Sequence, residues 1–393
     1  MRNGVPKSLK VVVEAVLGVF AAALCWMGVS WAVRPGLFPM LDELANPGVF
    51  LLGSYHQIVH FFPTTYYSDR PMGWAFIKLM GDWLGFDYTG QVACLLVLHF
   101  ANCGLGFWLF RRLGLGVPLA IAGVGLFGGL WTTAQTATYL GESFDTICLF
   151  FLLGSTLAAL SDRRILSGVL FLAALRSKEF AIVTPFLLTV LLALRLPRSG
   201  LVRRLWLHYV ILLVFGIRYV LLYRQYRTTL APDNLYRMDF HVATVLQSLA
   251  YYTSLIFGAE RQIPAVPLPA VMVLILSWAI LRRRAGIAFG LLAYVLTALP
   301  VLLIPRVRNA CWVYAPQLFL ILALGLLLEE ALVRLTKREP RYIAMVVRAG
   351  DVQLFATGQP AAVHRLRAES AGGSASRAVP KRFRAEVFCG LSR

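Results

Sequence analysis

An acid pair, Asp42-Glu43, stands eight residues beyond the end of a long apolar run. Paired acids at such a place can serve as a general base, join a metal site or simply keep a loop soluble. Further reactive groups recur where later apolar runs begin or end. Arg70 sits in Asp69-Arg70-Pro71 after the tyrosine pair Tyr66-Tyr67, and Leu98-His99-Phe-Ala-Asn102 lies inside an apolar run. His99 and Asn102 are three apart and so share one helical face. A histidine there is either a hydrogen-bonded structural residue or a ligand, and polar groups at membrane depth point to function. Glu142 and Asp145 stand in Tyr139-Leu-Gly-Glu142-Ser-Phe-Asp145, and Arg176-Ser-Lys178-Glu179 separates two short apolar segments. Arg306-Val-Arg308 precedes Tyr314. Arg176 and Lys178 either pair with Glu179 and nearby acids or hold an anionic ligand. Arginine meets phosphate oxygens bidentately, and lysine adds a point charge.

The elements that must carry these residues are membrane helices. Of 393 residues 59% are hydrophobic and only 15% charged, with a mean hydropathy of +0.70. Soluble domains run at about 45–50% apolar and about 25% charged. A soluble enzyme, a disordered chain and a disulfide miniprotein are therefore excluded. Apolar segments run from 11 to 33 and at roughly 90–110, 114–133, 145–161, 165–176, 180–194, 205–222, 265–281, 285–304 and 313–333. They predict an all-α polytopic membrane protein of about ten transmembrane helices. The first run is too long for a signal-peptide core of about 7–15 residues and reads as a retained helix. The short pair 165–176 and 180–194 reads as a hairpin whose polar break must face protein or a wet cavity.

Direction follows from charge. Lys plus Arg number 38 against 19 Asp plus Glu, a net +19. In a soluble chain that excess would point to nucleic acid. Here it points to cytoplasmic loops and anionic membrane lipid at a basic cytoplasmic face, with no nucleic acid partner. Basic clusters at Arg111-Arg112, Arg163-Arg164, Arg195–Arg204, Arg282-Arg283-Arg284 and Arg334–Arg338 fall in alternate loops. The expectation is a multi-pass protein of the inner (cytoplasmic) membrane with both termini cytoplasmic. Segment 241–257 is then laid flat on the outer interface. The first external loop, 34–89, holds two aromatic-rich stretches, 49–62 and 72–84, that read as interfacial helices. Residues 1–338 form the transmembrane domain, and 339–393 a basic, flexible cytoplasmic tail. The six cysteines include no CxxC pair, and most lie in apolar runs as small hydrophobes. All the reactive groups above then lie on the outer side. Arg237 and several other arginines do too, against the positive-inside bias.

In order and spacing the set Asp42-Glu43, Arg70-Pro71, Leu98-His99…Asn102, Gly141-Glu142…Asp145, Ser177-Lys178-Glu179 and Arg308…Tyr314 resembles the polyprenyl-phosphate-sugar-dependent glycosyltransferases of the GT-C fold. It is most similar to bacterial relatives of the protein O-mannosyltransferases and of the TPR-tailed transmembrane O-mannosyltransferases. The resemblance covers about residues 9–335. It implies that Asp42 is catalytic with Glu43 as neighbour, and that Lys178, Arg176 and Arg308 approach the carrier phosphate. Arg70, His99, Asn102, Glu142, Asp145, Glu179, Arg306 and Tyr314 complete the substrate-binding set. Departures are the Asp-Glu pair where many relatives have two aspartates, Asp-Arg-Pro for Tyr-Arg-Pro, and no soluble domain after the last helix. The expected function is transfer of a sugar from a polyprenyl-phosphate carrier to a hydroxyl of an acceptor protein or glycan on the outer face. Arg and Lys can supply the charge that the leaving phosphate needs, so no metal or other cofactor is required. The alternatives are a transporter or flippase for a lipid-linked or anionic solute, and a scaffold subunit with a degenerate site.

Overall fold

The computed structural model describes residues 53–60, 70–195, 199–225, 237–256 and 267–334, with scattered helical positions between 16 and 30. Asp42, Glu43, Tyr66-Tyr67 and the tail 339–393 lie outside the described residues.

The described residues are helical and contain no strand. Two helices belong to the 34–89 stretch. α1 (Tyr55–Val59) opens on a capping box between Ser54 and Gln57. α2 (Pro71–Leu84) starts with proline at its first turn, where the missing N–H costs nothing. α2 buries Gly73, Trp74, Ile77, Met80 and Gly81, which recur at helical spacing. Its other side exposes Leu79 and Trp83, as befits a helix at a lipid boundary. Gly73 is needed here: a Cβ would fall 2.0 Å from the Phe144 ring.

The bundle follows. α3 (Tyr88–Leu113) is capped by Asp87 at its start and by Gly114, at φ +104°, at its end. α4 (Val117–Gly129) and α5 (Trp131–Thr138) come next, then α6 (Ser143–Leu160), α7 (Arg164–Leu175) and α8 (Thr184–Ala193). α9 (Ser199–Gln225), α10 (Val242–Ile256), α11 (Pro267–Leu281) and α12 (Ala285–Leu302) lead to the last helix, α13 (Ala310–Arg334). Five described helices are long and apolar enough to cross a membrane, or six if α4 and α5 are one span. The protein is therefore a multi-pass membrane protein. α6, α12 and α13 form the centre. α9 lies on the perimeter, with Val202, Leu213 and Ile217 exposed to lipid.

One predicted helix is broken. The apolar run 114–133 is not continuous: α4 and α5 meet at 59°. Leu130 is extended there, after Gly128-Gly129. The Thr133 hydroxyl donates to the Phe127 carbonyl and so satisfies an acceptor that the break sets free. Mean hydropathy across the two helices does not register such a break, because the strongly apolar α4 carries the average over the threonine-rich α5.

The chain runs back and forth between two chemically different ends. At one, Arg195 donates to the Arg112 carbonyl (3.3 Å), Arg204 pairs with Asp162 (3.4 Å), the Gly116 N–H donates to Glu329 (2.6 Å) and Arg284 pairs with Glu330 (2.8 Å). These contacts gather the basic clusters of alternate loops. α3, α6 and α13 end there, and α4, α7 and α12 begin there. At the opposite end the Asp239 N–H, just before α10, donates to the Leu303 carbonyl (2.7 Å), and Arg308 stands 5.0 Å over the Tyr251 ring of α10.

Candidate functional site

The end opposite the basic clusters collects charges from segments far apart in sequence. α7 closes at Leu175, and the Ser177 hydroxyl donates back to the Ala173 carbonyl (2.8 Å). Lys178 is then extended (φ −156°, ψ 144°) before a 3-10 turn, Glu179–Val183. That extension carries its side chain to the first turn of α6. There Glu142 and Asp145, three apart, share a face. Lys178 Nζ donates to Asp145 Oδ2 and lies 3.5 Å from Glu142 Oε2. The other oxygen of Glu142 accepts a long contact from Asn309 Nδ2 (3.5 Å). Asn309 also caps the start of α13 by accepting from the Cys311 N–H (3.0 Å). The turn at 176–179 and the last loop, residues 303–309, thus meet across one carboxylate.

A second pair flanks the first. Arg70 grips Glu179 bidentately, Nη2 to Oε1 at 2.6 Å and Nε to Oε2 at 3.0 Å. Arg176 donates to the His60 carbonyl (3.0 Å), and its own carbonyl accepts from the Met72 N–H (3.1 Å). The turn is therefore stapled to the start of α2, while Trp74 packs edge-on against Phe144 at 5.1 Å. Arg70 and Lys178 pair with Glu179, Asp145 and Glu142, and Arg176, bonded to the His60 carbonyl, brings the cluster to three formal charges of each sign.

Of the cations expected to face a phosphate, Lys178 is engaged by protein acids and Arg176 by the His60 carbonyl. Lys178 is held between Asp145 and Glu142, and it is Arg70 rather than Lys178 that takes Glu179. Arg306 and Arg308 remain exposed.

Below this cluster lies a buried polar layer. His99 Nδ1 is 2.7 Å from the Tyr314 hydroxyl, and Asn102 Nδ2 donates to that hydroxyl (3.2 Å) and to the Thr146 carbonyl (2.9 Å). His99 Nε2 is 3.4 Å from the Gly128 carbonyl. A carbonyl only accepts, so the arrangement assigns the ring proton to Nε2 and leaves Nδ1 to accept from Tyr314. The layer ties α3, α4, α6 and α13 together, which is the structural role open to His99 from its sequence. Tyr314→Phe is expected to cost about 1–3 kcal/mol by stranding His99 Nδ1. Thermal unfolding in detergent would measure it.

Sequence reasoning missed Asn309, whose only signal is a helix-capping residue before an apolar run. It also missed His208, which is buried against the Ser167 hydroxyl (2.9 Å) and stacked on Phe171. A lone histidine in an apolar run was the signal there.

No family model, curated protein or solved structure matches this chain.

Proposed function

We propose that this protein is an integral-membrane glycosyltransferase that moves a sugar from a polyprenyl-phosphate carrier to a hydroxyl acceptor on the outer face of the inner membrane. The observation that carries the reading is the balanced six-charge cluster at one end of an apolar bundle, drawn from three distant segments. Buried and half-buried ion pairs cost desolvation and are weak stabilisers. Their concentration at a single end favours a built catalytic floor over a purely structural device.

The reaction needs three things. A carboxylate must take the acceptor's proton as its oxygen attacks the anomeric carbon, and Asp42, with Glu43 beside it, is the group we assign. The bond from that carbon to the phosphate oxygen must break, and the departing lipid phosphate must meet cations. The site must also stay fixed while this happens. Arg70–Glu179 and Lys178–Asp145–Glu142 supply that rigidity by locking the turn after α7 to α2 and α6. In this reading about ten helices cross, both termini are cytoplasmic, and anionic lipid meets the basic end. Reporter fusions at Arg112, Arg204 and Arg284 should then all report cytoplasm. An external signal at any one of them contradicts the orientation.

A second reading, a transporter of a lipid-linked or anionic solute, draws on one observation. The break between α4 and α5 beside the His99 layer is the kind of discontinuous helix that transporters use. Transfer of labelled sugar from a polyprenyl-phosphate donor to an acceptor hydroxyl in nanodiscs discriminates. Product formation supports the enzyme. Solute uptake into sealed vesicles without product supports the transporter.

A further inference from the structure

We propose that the lipid-facing groove between α7 and α9, at the basic end, holds one anionic phospholipid, with its phosphate on Arg203 and an acyl chain laid between the two helices. The inference rests on the reading that anionic lipid meets the basic end, and narrows it to one place. It does not draw on sugar transfer.

The two helices meet closely at a glycine. A Cβ on Gly168 would fall 2.4 Å from Leu207 Cδ2, so Leu207 lies against the bare backbone of α7. The Ser167 hydroxyl, 2.9 Å from His208 Nε2, fastens the buried side of the same contact. On the lipid side, Ile165 and Leu172 flank Gly168 one turn away in either direction. Arg203, Val210 and Val214 stand at the same helical spacing about Leu207. Ile165, Leu172, Val210 and Val214 are all exposed, which leaves apolar walls on both sides of the Gly168–Leu207 floor. Arg203 to Val214 is eleven residues, about 16 Å of helix. That is the depth of one leaflet, half of a hydrocarbon core of about 30 Å.

The open end of the groove is cationic. Arg163 and Arg164 start α7, and Arg203 and Arg204 lie near the start of α9. The one acid in 161–172 and 199–210 is Asp162, and its carboxylate is engaged. Arg164 donates Nε to Oδ1 (3.0 Å) and Nη2 to Oδ2 (3.2 Å), and Arg204 Nε lies 3.4 Å from Oδ1. Arg164 first, then Arg204 and Arg203, hold that carboxyl below its ordinary range. Four guanidinium groups around one engaged carboxylate leave this corner positive, with Arg163 and Arg203 exposed. Guanidinium matches phosphate oxygens bidentately. Trp206, 55% exposed, stands between Arg203 and Val210 on the same face, and an indole settles at headgroup level. A zwitterionic headgroup would bring its own cation to this corner, whereas phosphatidylglycerol brings only the phosphate.

The test uses the full chain in phosphatidylcholine nanodiscs with a rising fraction of phosphatidylglycerol brominated in its acyl chains. Quenching of Trp206, read as the difference between the wild type and Trp206→Phe, reports occupancy. Arg203→Gln is expected to raise the lipid fraction at half-quenching about fivefold, the effect of one cation near an anionic lipid surface, and Arg203→Lys to restore most of it. Arg283→Gln, at the same end on the turn between α11 and α12, should change nothing. An unmoved midpoint in Arg203→Gln overturns the proposal. An equal shift in Arg283→Gln would mean diffuse attraction to the whole basic end, which sinks the groove and spares the reading of that end. The same midpoint with brominated phosphatidylcholine in the wild type would overturn both. Relief of quenching by inorganic phosphate would show an anion site that takes no chain and overturn the lipid assignment. No quenching by either lipid would mean that another protein surface covers the groove.

Discussion

Asp145→Ala is expected to destabilise the protein by about 3–5 kcal/mol, because it strands the Lys178 ammonium in a site with little water. Asp145 is only 2% exposed and Lys178 only 14%. Glu142, 3.5 Å from the same ammonium, offers partial compensation and places the effect toward the lower end of that range. Removing both charges in Asp145→Ala/Lys178→Met should cost less than the sum of the single changes, since neither partner is then left alone. Thermal unfolding of detergent-solubilised protein, followed by tryptophan fluorescence, reads all three. Strict additivity would show that the pair seen in the structure contributes no coupling.

Asp42→Asn is expected to lower sugar transfer by about 10²–10⁴, the usual contribution of a general base. The amide is nearly isosteric and cannot take the acceptor's proton. Folding, insertion and binding of the lipid phosphate should persist. Glu43→Gln is the control for the assignment. If Glu43 is the base, its substitution gives the severe loss and Asp42→Asn the mild one. Initial rates with a labelled donor at saturating acceptor separate the two cases.

The helices were legible because hydropathy reports burial in lipid directly. The runs 90–110, 145–161, 285–304 and 313–333 correspond to α3, α6, α12 and α13. The short pair 165–176 and 180–194 corresponds to α7 and to Glu179–Ala193, with the polar turn between them. Alternation of basic clusters was legible for the same reason, since each cluster marks a turn at one end. The break at Leu130 was not. It depends on a local Gly-Gly and on a threonine hydroxyl replacing a backbone partner, neither of which changes mean hydropathy.

Within the site, spacing gave faces but not partners. His99 and Asn102 were expected on one helical face and are found so, whereas Glu142 and Asp145 come to share one only because α6 starts at Ser143. That Lys178 turns to Asp145 while Arg70 takes Glu179 follows from one extended residue at the turn and from where α2 docks. Both are tertiary facts that no spacing encodes.

The central claim, sugar transfer from a lipid phosphate with Asp42 as the base, is tested most directly by a single-turnover assay in nanodiscs. The donor carries label in both sugar and phosphate. The account predicts that wild-type protein converts labelled sugar to acceptor product while releasing one lipid phosphate for each sugar transferred, and that Asp42→Asn/Glu43→Gln does neither at a measurable rate. Equal conversion by the wild type and the double variant would contradict it.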